Sequence, residues 1–335
     1  MNNIFIDSQT NHLRTEWRAA IFVLISPYIL ILLEVFLTMG SKKTDAAVAS
    51  VGLDNVTIIA YVAQLLWAIA ASWACLKFFE KMRLASLGFA FFRGWWRETW
   101  VGFGIAFLMM IVVVGLQVLG GGTRIMLNPL FWKTVDGARS LDFIGLQMIG
   151  RDFALALVLF ALAAAFEELL FRGYPFQTLL RGGVPAAVPI IVLSVFFGLV
   201  HLGNPSSTTF STVNTILAGV WLSVAYLKTR SLWFPTALHL GWNWTMGAFL
   251  GIPVSGMKLV WYPVLLATSE APLWLTGGSY GCEGGIAATL VLLVTTVVLW
   301  KAKWLQVAPE MQAALNTHDT KLQETIKLGL IEEQD

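Results

Sequence analysis

Charge is what this chain has least of. Lysine, arginine, aspartate and glutamate make up 13% of its 335 residues, against about 25% in soluble domains. That scarcity excludes an ordinary soluble fold. A formal net charge of +2 supplies no basic surface for a nucleic-acid partner, so the basic residues read better as topology signals. Cysteine is nearly absent: Cys75 lies in an apolar run and Cys282 in a loop, and they offer no disulfide framework. Also missing are the helical His-Glu-x-x-His zinc motif, a Gly-x-Ser-x-Gly nucleophile elbow and a Cys/His pairing. The first absence leaves a metal without local support, and the others argue against covalent catalysis.

What is there is hydrophobic. Apolar residues account for 57% of the chain, with fifteen tryptophans and a mean hydropathy of +0.72. A helix needs about 20 residues to cross the hydrocarbon core. Runs of that order lie near 19–40, 55–77, 99–120, 152–172, 185–202, 212–227, 232–251 and 285–301. The expected fold is therefore an all-α, polytopic transmembrane bundle of eight spans. The basic loop 77–97 carries Lys77, Lys81, Arg83, Arg93 and Arg97 and orients both termini to the cytoplasm. The first run, Ala19 to Gly40, is too long for a signal-peptide core and lacks a cleavage site, so no cleavable signal is expected.

This reading divides the chain into spans one to three with their loops (1–150), a core of spans four to seven (151–251), a loop and last span (252–303) and a polar cytoplasmic tail (304–335). No internal repeat or second globular domain is visible. The stretch Thr276–Gly285 is mostly glycine and small polar residues, which means turns; it reads as a connector, with a substrate-facing loop as the rival. Glu34 falls in the first run, either within the membrane or at its outer interface.

The stretch that demands an explanation is Phe166-Glu167-Glu168-Leu169-Leu170-Phe171-Arg172-Gly173, directly after thirteen apolar residues, Ala154 to Phe166. An ionisable group at membrane depth is costly and marks a functional site by default. On a helix Glu168 and Arg172 are i,i+4 neighbours and can pair. Glu167 points about 100° away and is left without that partner. Two of the four histidines also stand in apolar surroundings, His201 and His239, and Asn243 shares a helix face with His239. His12 and His318 lie in polar tails.

Glutamate, two histidines and an asparagine on three apolar helices supply what amide hydrolysis requires. A carboxylate or imidazole can take a proton from water, and a neutral imidazole and a carboxamide can donate to an oxyanion. The same Glu167, His201 and His239 also make a His₂Glu set of the kind catalytic zinc uses, so a divalent metal such as zinc stays open.

Glu-Glu-x-x-x-Arg at 167–172, Phe-x-x-x-His at 197–201 and His-x-x-x-Asn at 239–243, in that order, resemble the CPBP family of CAAX prenyl endopeptidases and bacteriocin-processing or immunity membrane proteins. The flanking Glu-Leu-Leu-Phe-Arg-Gly at 168–173 agrees, and the likeness covers roughly residues 160–250. It implies an intramembrane endopeptidase of the bacterial plasma membrane, acting on a membrane-associated or CAAX-like protein or peptide. Glu167 and His201 would activate the water, His239 and Asn243 would stabilise the oxyanion, and Glu168 with Arg172 would form a structural pair. The family is described both as metal-dependent and as metal-free, so the cofactor stays unknown. A non-proteolytic peptide-binding or immunity protein is the second reading, and a transporter with a proton relay through the same residues the third. No inverted repeat or matched pair of broken helices supports the transporter.

One geometric difficulty comes with this reading. If span four ends near Arg172, Glu167 and His201 sit at opposite depths and cannot meet at 1.5 Å per residue. Extending span four through Leu180, and letting Asn204 to Asn214 dip inward to line a wet cavity, would bring them together.

Overall fold

The structure, a computed structural model, describes residues 4–6, 13–25, 53, 55–270 and 272–316. His12, Glu34, His318, most of the expected first span and the end of the tail lie outside the described residues. The fold is mostly helical. Helix α1 (Asn55–Cys75) closes in a π-helical turn, Leu76–Glu80. Helix α2 (Trp95–Leu119) follows a tryptophan-rich loop. Helix α3 (Phe143–Glu168) is capped by Asp142, whose carboxylate accepts from the Ile144 amide at 3.1 Å. It does not stop at Glu168. A π-helical turn, Leu169–Gly173, carries it into α4 (Tyr174–Arg181), so that one apolar helical run extends over Phe143–Arg181.

The widened turn has a local cause. Pro175 has no amide to give and its ring clashes with the carbonyl four residues back. A π-bulge relaxes that clash without ending the helix, and such bulges recur at functional sites. Span four thus passes through Leu180, as the geometry of Glu167 requires, and it begins nine residues earlier than the expected Asp152.

Helix α5 (Ala187–Val200) tightens into a 3₁₀ turn, His201–Gly203. Helix α6 (Thr209–Thr229) starts at a capping box in which Thr208 and Ser211 satisfy each other's amides. The polar segment expected to dip inward is therefore irregular only up to Thr208, and Asn214 lies on the helix. Helix α7 (Trp233–Trp244) ends in a π-helical turn, Thr245–Phe249. Helix α8 (Ile286–Lys301) and a short α9 (Pro309–Asn316) complete the described chain. The tail starts out packed: Leu305 and Met311 are buried.

One expectation is met in part and one needs correction. Four described helical runs are long and apolar enough to cross a membrane: Asn55–Glu80, Trp95–Leu119, Phe143–Arg181 and Thr209–Thr229. Ala187–Gly203 and Ile286–Lys301 are shorter apolar helices. The described residues thus show four of the eight expected spans: Ile286–Lys301 is regular helix of only 16 residues, Ala187–Val200 closes in a tight turn, the run 232–251 ends in a widened one, and most of 19–40 lies outside the described residues. The fold is not purely α. Strand β1 (Thr123–Leu127) pairs antiparallel with β4 (Leu265–Ser269), and β2 (Trp132–Val135) with β3 (Ala138–Leu141). The second hairpin turns at Asp136-Gly137, both with positive φ, the signature of a type I′ turn.

Packing follows glycine. Gly241 of α7 lies so close to α2 that an added Cβ would stand 2.7 Å from the Phe103 carbonyl oxygen. On the opposite side of the same helix, about 160° round, lie His239 and Asn243. Gly219 of α6 likewise presses on Ser194 of α5. One buried cluster joins α2, α6, α7 and α8, and a second joins the helical stretch 15–25 to α1 and α4. The partly buried Arg18–Glu80 ion pair, 2.6 Å, ties that stretch to the π-helical turn that closes α1.

Candidate active site

Adjacent glutamates at the end of α3 have opposite fates. Glu168 is fully buried, and its Oε1 accepts from Arg172 Nη1 at 2.9 Å and from His239 Nδ1 at 3.0 Å. Arg172, also fully buried, donates to the Gly219 carbonyl (2.9 Å) and to Ser223 Oγ (3.4 Å) on α6. Its guanidinium lies 4.8 Å from the centre of the Phe197 ring. One ion pair thus locks α3, α6, α7 and the π-helical turn together. Sequence spacing gives the Glu168–Arg172 contact but not the third member, His239, which comes from a helix 71 residues on.

Glu167 faces the other way, into a cavity, and is partly exposed. Its Oε2 is buried, accepts no hydrogen bond among the described residues, and lies 3.8 Å from His239 Nε2. His201 lines the same cavity. Because α5 tightens there, the His201 amide bonds back to Gly198 and Leu199. That leaves the Phe197 carbonyl for the imidazole of His201 itself, whose Nδ1 sits 2.7 Å away. The Phe-x-x-x-His spacing therefore has a backbone reason and a ring reason, since the Phe197 and His201 rings meet at a tilt with centroids 4.7 Å apart.

Both imidazoles are oriented alike. A carbonyl and a carboxylate can only accept, so Nδ1 carries the proton in each. His201 then offers the lone pair of Nε2. His239 has a further consequence: with Nδ1–H held by Glu168, it can donate through Nε2 only as an imidazolium, not as the neutral ring that sequence reading allowed. Glu167 and Glu168 supply its counter-charges. Asn243 lines the cavity one turn further along α7.

The cavity holds about 60 Å³ accessible to water, room for a few molecules. Its walls come from α3, α5, α6 and α7, and its cap from the segment 252–285, through Val254, Ser255, Met257, Leu259 and Glu283. Sequence reading treated that segment as a connector and missed Glu283. A signal existed: Glu283 is the only charged residue between Glu270 and Lys301. The neighbouring Gly277-Gly278-Ser279-Tyr280-Gly281 fits Gly-x-Ser-x-Gly as a string. It forms a short 3₁₀ turn rather than a strand-to-helix elbow, and Ser279 lies outside this cavity.

The His₂Glu set meets only part of what a metal site needs. An imidazole that gives Nδ1–H to an acceptor and keeps Nε2 free is the form metal ligands take. Yet among the described residues no three or more His, Cys, Asp or Glu side chains are gathered so as to hold a metal ion, and Glu167, His201 and His239 do not form that cluster. The ligand set named from the sequence does not fit as it stands, and no step below passes through a metal.

No curated protein matches this chain. Glu167, Glu168, Arg172, His201, His239 and Asn243 all fall within residues 150–245, which match the family model of Rce1-like type II CAAX prenyl endopeptidases, consistent with the CPBP family and with an enzyme of the membrane.

Proposed function

We propose that the chain is an intramembrane endopeptidase that hydrolyses a peptide bond of a membrane-associated or CAAX-like protein or peptide. It would work as an eight-span protein of the bacterial plasma membrane with both termini in the cytoplasm. One observation carries the reading: Glu167, His201, His239 and Asn243, from three separate helices, line a single water-sized cavity. The family model, whose members are prenyl endopeptidases by description, supports it from outside the geometry.

The chemistry assigns one task to each group. Water enters between Glu167 and His201, with Glu167 Oε2 free to take its proton and His201 Nε2 free to accept a hydrogen bond. The hydroxyl oxygen attacks the scissile carbonyl as the O–H bond breaks toward Glu167. Negative charge then gathers on the former carbonyl oxygen, where the His239 imidazolium and the Asn243 carboxamide donate to it. Collapse of this intermediate breaks the C–N bond, and Glu167 returns the proton to the leaving amine. Glu168 touches no reacting atom. It is a positioning residue, holding His239 by Nδ1 and Arg172 by Nη1.

The test is direct. The full chain in lipid vesicles is incubated with a library of membrane-associated peptides, and new termini are sought by mass spectrometry. New termini with wild-type protein and none with Glu167→Ala support the proposal. Peptide binding that persists in Glu167→Ala, with no cleavage by either protein, would replace it with the peptide-binding reading.

A further inference from the structure

The cavity contains a second carboxylate that the mechanism does not use. Glu283 lies in a 3₁₀ turn, Cys282–Gly284, outside the stretch matched by the family model. Its Oε1 accepts from Trp242 Nε1 at 3.0 Å, and its Oε2 from the Ser255 amide at 2.9 Å and the Ser255 hydroxyl at 2.7 Å. All three donors are neutral. Two carboxylates, Glu167 and Glu283, line the cavity with two histidines, and no lysine or arginine is among the described lining residues. His239 is already shared between Glu167 and Glu168. Among the described residues Glu283 therefore has no cation of its own.

The site is built rather than incidental. Asn214 donates to the Glu283 carbonyl (2.7 Å) and to that of Gly285 (3.1 Å), so α6 fixes the backbone on either side of the turn. Asn204 holds the Ser255 carbonyl at 3.1 Å. Gly256 (φ +84°) and Gly281 (φ +99°) adopt backbone that side chains rarely enter, and an added Cβ would meet the Pro205 or the Pro253 carbonyl oxygen. Removing an ion from water among walls such as Leu159, Phe160 and Trp221 is costly unless charge answers charge. A carboxylate accepts at about four lone-pair positions, and Glu283 fills three.

We propose that Glu283 is a cation subsite, selecting substrates that carry a lysine or arginine side chain beside the scissile bond. The inference rests on the peptidase reading for its place in the reaction, although the binding it describes does not depend on cleavage. Glu283, His239 and Asn243 line the same cavity, so a cation on Glu283 would share it with the oxyanion donors. The positions to test are therefore the ones next to the bond.

The experiment uses the full chain in lipid nanodiscs and capped apolar peptides of one length. A single lysine, norleucine or glutamate is placed in turn at the two positions on either side of the bond, and both affinity and cleavage are measured. At one position lysine is expected to bind about tenfold or more tightly than norleucine, and glutamate more weakly than either. Glu283→Gln should bring the lysine-to-norleucine ratio close to one, and the charge-preserving Glu283→Asp should keep part of it. Equal affinities at every position in the wild type would overturn the subsite, as would a preference that survives Glu283→Gln. Should Glu283→Gln not fold, the wild-type ratio and Glu283→Asp decide the matter. Cleavage without a lysine preference removes the subsite and leaves the peptidase. A lysine preference that Glu283→Gln abolishes, with no peptide cleaved, removes the peptidase and leaves the subsite.

Discussion

The helical wall and the 252–285 cap enclose the same cavity by opposite means. In the wall, regular helices set the side chains. Glu168 reaches Arg172 because they are four apart, and His239 and Asn243 share a face because they are four apart. In the cap, irregular backbone is held by glycines at positive φ and by side chains that bond to carbonyls, such as Asn214 to Glu283 and Asn204 to Ser255. The wall places the groups that the proposed reaction needs. The cap adds one charge and closes the space. The groups of the proposed reaction sit on or beside helices, and Glu283 sits where irregular backbone is fixed by side chains bonded to carbonyls.

That contrast can be broken at several points. The largest effect is expected in the wall. His201→Ala should lower the rate of cleavage by about 10²–10⁴-fold, the range for a lost general acid–base group, while thermal unfolding stays near that of the wild type. A variant that cleaves normally would remove His201 from the machinery. Asn243→Ala comes next, with a fall of about 10²–10³-fold in kcat, the cost of one oxyanion donor. A rise in KM alone would make Asn243 a substrate contact instead.

Glu168→Ala separates structure from chemistry. It leaves Arg172 buried without its partner, so stability should fall by about 3–5 kcal/mol, measured by denaturation in detergent. Replacing both residues, as in Glu168→Leu with Arg172→Met, should recover much of that stability, since a well-packed apolar pair often equals a buried ion pair. Activity should not recover, because His239 has still lost the acceptor at Nδ1. A stable and active double variant would show that Glu168 has no positioning role.

The pH profile sharpens the same point. His239 can donate through Nε2 only while doubly protonated, so the oxyanion donor is present at low pH and disappears as pH rises through its pKa. A kcat that falls on the alkaline side is expected, and a rate that stays flat there contradicts the imidazolium. The smallest effect belongs to the cap. Gly256→Ala forces a Cβ toward the Pro205 carbonyl at positive φ and should cost about 1–3 kcal/mol. An unchanged melting temperature would mean that the cap is not held as described.

How much of this was legible in the sequence follows the same division. Helical periodicity and the rarity of charge disclosed Glu167, Glu168, Arg172, His201, His239 and Asn243, because each stands out in an apolar run and i,i+4 spacing is local. What could not be read is non-local. The hydrogen bond from His239 to Glu168 joins residues 71 apart, and the β1–β4 pairing joins segments on either side of the core. Hydropathy also reads the widened turn and loop at 245–251 as it reads regular helix. The apolar run alone ends span four near Arg172, and only the need to bring Glu167 to His201 extends it through Leu180; a π-helical turn carries the helix on. Glu283 went unread because glycine-rich text signals turns without saying what they enclose.

The central claim is that Glu167 is the base, and one substitution addresses it. Glu167→Gln keeps the size and the shape of the side chain and removes only its ability to accept a proton. Single-turnover cleavage of one peptide by the full chain in vesicles should fall by about 10²–10⁴-fold, with peptide affinity and melting temperature near wild type. A rate within a few-fold of wild type would contradict the account and move the base to another residue of the cavity.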